Sequence, residues 1–352
     1  MKKIIKKSLL LTGCEACGEA AISAGCSFYA GYPITPQNRF PEYMSTRMEE
    51  EERVFIQAES EISSINMIFG AAAAGFRTLT SSSSPGISLM QEGISYLAGC
   101  ELPAVIVNFN RGGPGLGDVT PSQSDYFQTT RGGGHGDYRT IALSPWTIQE
   151  IYDFTFLAFD LADRYRNPVL IHSDGLLAQL YESVKLRHPQ KRFIKKPWAV
   201  TGCDGRKPNS IKSLFLTPGV LETHNWKLAR KYEKIESKEV RFETYYCNDM
   251  NYLLVSFGTC ARIAKEAVEK ARMEGVKIGL FRPVTLWPFP YKELSEQIKK
   301  VKKILVVEMN LGQMLEDVKI SASKWNGKIF FYGRPGGGIP DPKEIYREIK
   351  KK

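Results

Sequence analysis

Residues 53–80, RVFIQAESEISSINMIFGAAAAGFRTLT, read as strand, helix, strand. Arg53–Gln57 is a short apolar run, Ser60 is a candidate N-cap, and Phe76–Thr80 starts a second run. Ile62, Ile65, Phe69 and Ala72 recur at three- and four-residue steps, which predicts a buried helical face. Glu59 and Glu61 stand at the mouth of that helix. Acids there suit the positive end of the helix dipole. A single acid at the edge of a buried site can also set the protonation of a bound cofactor ring. The stretch by itself leaves both readings open.

Outward from it the same alternation continues. Cys26–Ala30, Leu102–Asn108, Thr140–Leu143 and Pro168–His172 read as strands. Helices are predicted up to Met48, from Pro85 to about Ala98, and over Thr147–Asp163. Strands separated by helices in this way predict an α/β fold with a parallel sheet covered on both faces. From about 183 to 243 the pattern gives way to basic, proline-containing sequence, read as a long connection packed over the first domain, with a helix near Glu222–Lys234. The alternation then restarts with strands at Tyr252–Phe257, Lys277–Phe281, Lys303–Glu308 and Lys328–Tyr332. Helices at Cys260–Glu274, Pro290–Lys300 and Gly312–Ser323 separate them, and the glycine-rich tail RPGGGIPDP follows. Two domains are expected, 1–243 and a smaller 244–352.

With 352 residues and 43% hydrophobic content the chain can fill two cores. The formal charge of +10 suits acidic partners, but the basic residues are not interleaved with aromatics, which argues against nucleic acid. The start MKKIIKKSLLLTG is basic and then apolar, but its apolar run is too short for a signal peptide. No run approaches the ~20 apolar residues of a membrane span. Seven dispersed cysteines fit reduced thiols in the cytoplasm. Cys14 and Cys17 form a lone CxxC without a second ligand pair, so buried thiols are expected there, with no metal and no iron–sulfur ligands on this chain.

Loops that follow parallel strands carry the chemistry of such folds. Four stand out: GYPITP, in which Pro33 and Pro36 present Thr35; the helix start at Glu59 and Glu61; TSSSSPG, with Ser84 as N-cap and Pro85 at the first helical position; and NRGGPGLGD. Arg111, directly after a buried strand, suits a carboxylate with its planar fork, or else anchors its own loop through carbonyls. The NRGGPGLGD loop fits neither a Walker A nor a GxGxxG dinucleotide motif. His135 in RGGGHGDYR, one of four histidines, has no second histidine at ligand spacing.

Taken in order, AGYPITP…FPEY, QAESE…GAAAAGFRTLTSSSSPGISLM, NRGGPGLGDVTPSQSDYFQ, GGGHGDYR, FRPVTLWPFP and VVEMNLGQM resemble the alpha subunit of the 2-oxoacid:ferredoxin oxidoreductases. The likeness runs nearly end to end. The RGGPGLG…PSQSDYFQ form is most similar to the branched-chain (3-methyl-2-oxobutanoate) type, whereas relatives acting on 2-oxoglutarate tend to carry a Ser-Thr pair at Gly115 and Leu116.

The resemblance implies a pyrimidine-side thiamine diphosphate domain over 1–243 and a transketolase C-terminal-like domain over 244–352. The cofactor is expected between this chain and a beta subunit that holds the diphosphate and Mg2+. Ser173-Asp174-Gly175 is the nearest approach here to the GDG motif of that other half, with the wrong first residue. Gamma and ferredoxin-like delta subunits are expected to hold [4Fe-4S] clusters and pass electrons to ferredoxin. By family position Glu61 bonds the aminopyrimidine nitrogen, Thr35 touches cofactor and substrate, and Arg111 holds the 2-oxoacid carboxylate. Pro33 and Ser84 are expected beside the cofactor, and Gly115 and Leu116 beside the substrate. The implied reaction is oxidative decarboxylation of a 2-oxoacid with coenzyme A to acyl-CoA and CO2, by a complex in which this chain is inactive alone. The competing expectations are a paralogue acting on 2-oxoglutarate, pyruvate or another 2-oxoacid, and a non-catalytic assembly subunit of such a complex.

Overall fold

Strand and helix alternate through the residues described by a computed structural model, 8–190 and 193–351; the lysine-rich start at 1–7 lies outside them. The first half runs β1 (Ser8–Thr12), α1 (Gly13–Ser23), β2 (Phe28–Gly31), α2 (Arg39–Glu50), β3 (Val54–Gln57), α3 (Glu61–Ala73) and β4 (Thr78–Ser82). It continues with α4 (Ser84–Leu89), α5 (Gln91–Gly99), β5 (Ala104–Asn110), α6 (Tyr126–Arg131), β6 (Ile141–Leu143), α7 (Ile148–Tyr165), β7 (Pro168–Asp174), α8 (Gly175–Gln179) and β8 (Tyr181–Lys185). The remainder is α9 (Val220–Lys238), β9 (Phe242–Tyr245), β10 (Tyr252–Val255), α10 (Gly258–Met273), β11 (Ile278–Pro283) and β12 (Thr285–Trp287). It ends with α11 (Tyr291–Ile298), β13 (Lys303–Glu308), α12 (Gln313–Ser321), β14 (Lys328–Gly333) and α13 (Pro342–Lys351).

Seven strands form the larger sheet in the order β12-β6-β7-β5-β4-β2-β3, all parallel except β12. Every residue of the central strand β5 is buried, as its unbroken apolar sequence predicts for a strand covered on both faces. Helices α1, α2 and α7 pack together on one face, and α3 and α5 on the other. Five strands, β14-β13-β10-β11-β9, form the second sheet, in which only β9 runs antiparallel. Among the described residues the halves are joined at several places. β12 leaves the second half to pair with β6, and Arg282 is buried between Glu150 of α7 and Glu243 of β9 while lying 4.2 Å over the Trp146 ring. Residues 186–190 and 193–219 are irregular, as expected, and lie over α3, α5 and α7: Val200 N donates to Ala73 O, Gln190 to Asp160, and Ser213 stands against Gly99. Among the described residues no helix is long and apolar enough to cross a membrane.

Three local expectations are corrected. The buried face of α3 is Glu61, Ser64, Ile65, Ile68 and Ala72; Ile62 is 49% exposed and Phe69 only half-buried. The phase is set by Ile65, which fits over Gly93 of α5 so closely that a Cβ there would lie 2.6 Å from its side chain. The single helix expected from Pro85 to Ala98 is two, broken at Met90, where Ser88 and Gln91 bond back to the carbonyls of Ser84 and Ile87. The cap of the first of these is Ser83, not Ser84, because β4 stays in register with β5 as far as Ser82 opposite Asn108.

Candidate active site

Parallel pairing brings the carboxyl ends of β5, β4, β2 and β3 to one edge in that order, so the four loops read from sequence are neighbours. Ser60 caps α3 by accepting from Ser63 N, which puts Glu61 at the first helical position and turns its side chain inward. Glu61 is 5% exposed. Ser82 Oγ, at the end of β4, donates to Glu61 Oε1 at 3.3 Å. Gly86 of α4 faces both groups, and a Cβ there would overlap Glu61 Oε1 and Ser82 Oγ. The glycine thus leaves a notch in which a buried carboxylate meets one hydroxyl, although a carboxylate can accept several donors. Glu59, by contrast, is exposed and accepts from Ser63 Oγ, which holds its carboxyl below the usual range.

Thr35, Ser84, Arg111 and Leu116 are knitted together. Arg111 N donates to Ser84 Oγ at 3.0 Å, and Ser84 Oγ donates to Arg111 O at 3.2 Å. The buried guanidinium donates from Nη1 to Thr35 O at 2.9 Å and from Nη2 to Leu116 O at 3.1 Å. Two donors therefore anchor loops, while Nε is buried without a partner among the described residues. Thr35 and Pro33 are exposed, and Gly115 and Leu116 form an open loop tip, Leu116 being 82% exposed. Gly175 backs the GYPITP loop, with room for no more than glycine against Pro36 Cγ at 2.9 Å.

Sequence reasoning missed two acids. Asp125 turns its carboxyl inward to Asn108 Nδ2 at 2.8 Å; burial raises it above the usual carboxylate range, against hydrogen bonds from Ser84 and Asn108. Glu308 at the end of β13 is fully buried, and burial pushes it up to about 7 although Met314 N, Leu315 N and Asn310 Nδ2 all donate to it at 2.9 Å. Both lie in motifs that mark the family, PSQSDYFQ and VVEMNLGQM, but neither motif states what its acid touches. Asp174 caps α8 by accepting from Leu176 N and Leu177 N. Cys14 and Cys17 are buried in α1, where burial pushes the Cys17 thiol up to about 12 and its sulfur meets Thr155 Oγ1 at 3.3 Å. His135 is exposed beside a separate cavity of about 150 Å³ that Tyr96, Tyr138 and His224 also line; Thr35, Glu61 and Arg111 are not in its wall.

Residues 19–245 match the family described as pyruvate flavodoxin/ferredoxin oxidoreductase, thiamine diphosphate-binding, and residues 250–345 match pyruvate:ferredoxin oxidoreductase core domain II. The chain is 46% identical over 334 residues to the ketoisovalerate oxidoreductase subunit VorB of Methanothermobacter marburgensis, covering 94% of each chain. It is 37% identical to the 2-oxoglutarate synthase subunit KorA of the same organism, covering 96% of this chain and 97% of the other. Among solved structures it resembles a 2-oxoglutarate:ferredoxin oxidoreductase from Magnetococcus marinus with 2-oxoglutarate, coenzyme A and succinyl-CoA bound. There the TM-score is 0.87 at 26% identity, over 98% of this chain but only 65% of that one. A split-gene transketolase at 12% identity and TM-score 0.61 shares the fold.

Proposed function

From the premise that this chain belongs to the 2-oxoacid:ferredoxin oxidoreductase family, we propose that it is the alpha subunit and supplies the pyrimidine side of a thiamine diphosphate site completed by a beta subunit. One observation carries the reading: the buried Glu61 carboxylate, held by Ser82 in the notch at Gly86, lies at the same sheet edge as the Thr35–Arg111–Ser84 knot. Thiamine diphosphate, when bound, supplies the carbon that attacks the keto group and retains the electron pair as CO2 leaves. Glu61 shares a proton with the pyrimidine nitrogen, and Ser82 leaves its second oxygen free to do so. Thr35 and Pro33 line cofactor and substrate from one side, and Ser84 fixes the main chain at Arg111. The donors that Arg111 has not given to Thr35 and Leu116 hold the 2-oxoacid carboxylate.

The substrate in this reading is a branched-chain 2-oxoacid. Gly115 and Leu116 offer no charged or hydroxyl group to a second carboxylate, and identity to the relative named for ketoisovalerate exceeds that to the one named for 2-oxoglutarate. The product is acyl-CoA, with electrons leaving through [4Fe-4S] clusters on gamma and delta subunits to ferredoxin and Mg2+ held by the beta subunit. Residues 1–243 act as the pyrimidine-side domain and 244–352 as the transketolase C-terminal-like domain. Seven unpaired cysteines, six of them buried, support a cytoplasmic location. The test is to purify the chain with its neighbouring subunits and compare viologen reduction with 3-methyl-2-oxobutanoate, pyruvate, 2-oxoglutarate and an aryl pyruvate. The highest kcat/KM is expected with 3-methyl-2-oxobutanoate. A clear preference for 2-oxoglutarate contradicts the branched-chain assignment, and no turnover with any of them favours an assembly subunit.

A further inference from the structure

The loop bearing Arg111, Gly115 and Leu116 is closed on itself. Gly112 N donates to Thr120 O and Asp118 N to Gly112 O, both at 2.9 Å, and Arg111 bridges Pro121. Inside it Gly117, at φ +66°, passes so near Gly112 that a Cβ would overlap the Gly112 carbonyl. The loop's tip is open, and two segments of the second half hold its flank.

The first is the turn after β13. Gln123 N donates to Met309 O and Met309 N to Gln123 Oε1, each at 3.1 Å, while Asn310 Nδ2 donates to Gln123 O at 2.9 Å. Glu308 holds Asn310 from behind, and Asn310 Oδ1 accepts from Gly312 N and Gln313 N. The second is the glycine tail after β14, where backbone meets backbone. A Cβ on Gly112 would lie 3.4 Å from Gly337 N. A Cβ on Gly337, at φ +84°, would overlap Thr120 Oγ1 and lie 2.7 Å from Thr120 Cβ. At position 337 only glycine allows this approach.

We infer that the second sheet positions the 2-oxoacid loop, and that Gly337 and Asn310 are positioning residues for substrate recognition. The inference rests on the reading of Arg111 and its loop as the 2-oxoacid site. It explains why VVEMNLGQM and RPGGGIPDP end far along the chain from the chemistry yet abut the substrate loop in space.

The test uses the assembled complex with 3-methyl-2-oxobutanoate and pyruvate as probes. Gly337→Ala is expected to raise KM for 3-methyl-2-oxobutanoate about tenfold and to change the kcat/KM ratio of the two probes, with thiamine diphosphate Kd held within about twofold, since a misplacement of about 1 Å can cost on the order of a hundredfold. Adding Thr120→Gly removes both overlapping atoms and is expected to restore most of the KM. Backbone strain of alanine at positive φ would persist in that double variant, so absence of recovery overturns the seat. In the full chain alone, amide exchange of Gly112 and Asp118 is expected to quicken about tenfold in Gly337→Ala; this readout stands even where the variant fails to assemble, and unchanged exchange overturns the inference. A KM rise matched by an equal loss of thiamine diphosphate affinity overturns it too, as general loosening. Arg111→Met separates the two levels. If it leaves KM unchanged, the site assignment itself fails; if it raises KM while Gly337→Ala does not, only the positioning role fails.

Discussion

Glu61 occupies an environment that a surface acid would not need: buried, with one hydroxyl donor and a glycine opposite. Gly86→Ala would push a methyl into the carboxylate and Ser82, so cofactor Kd in the assembled complex is expected to rise by about tenfold or more, measurable by calorimetric titration with thiamine diphosphate. An unchanged Kd would mean that the notch is packing alone. Arg111 shows how far one residue could be read in advance: its place after a buried strand and its use of carbonyls as loop anchors were legible, but not that those carbonyls are Thr35 O and Leu116 O. Glu308 gives a pH prediction. Burial raises its folded value to about 7 from an ordinary 4.5, so the folded chain keeps a proton that the unfolded chain has already lost. Stability from this group is therefore greatest below about 4.5, falls as pH rises to about 7, and is flat beyond; the span is on the order of 3 kcal/mol. Urea midpoints between about pH 5 and about pH 8 should fall in the parent and fall less in Glu308→Gln. Equal slopes would refute the assignment.

At the scale of elements, α3 is held by its cap and by Ile65 over Gly93. Ser60→Ala should cost about 1 kcal/mol, and Ile65→Ala about 2–5 kcal/mol, whereas Ile62→Ala should be near neutral because Ile62 is half exposed. Urea denaturation of the three variants checks the corrected phase; a loss at Ile62 comparable to that at Ile65 would restore the sequence reading. The alternating strands and long helices were legible because each is strongly periodic. Helix α1 was not read, although Thr12-Gly-Cys-Glu15 is a capping box with both hydrogen bonds formed. Strands β1, β8 and β12 were invisible for a different reason. They are short and pair with partners remote in sequence, so no local pattern announces them.

Over the whole molecule, the loops that form the site were legible as an ordered set of motifs, while the contacts joining the two halves were not. Arg282 is fully buried, bonded to Glu150 and Ser144 O across that junction and to Glu243 on the neighbouring strand β9. Arg282→Ala takes the charge partner from part-buried Glu150, while the more exposed Glu243 can be rehydrated, and should destabilise the fold by about 3 kcal/mol, seen as a lower unfolding midpoint; a neutral result would mean the halves dock without it. Such a junction has no sequence period, because its partners come from three separate elements. The most direct test of the account is Glu61→Gln in the assembled complex. With subunit content unchanged, 2-oxoacid-dependent viologen reduction is predicted to fall by at least about a hundredfold, with weakened thiamine diphosphate binding. Parent-level turnover and cofactor affinity in that variant would contradict the assignment of this chain as the pyrimidine side of the site.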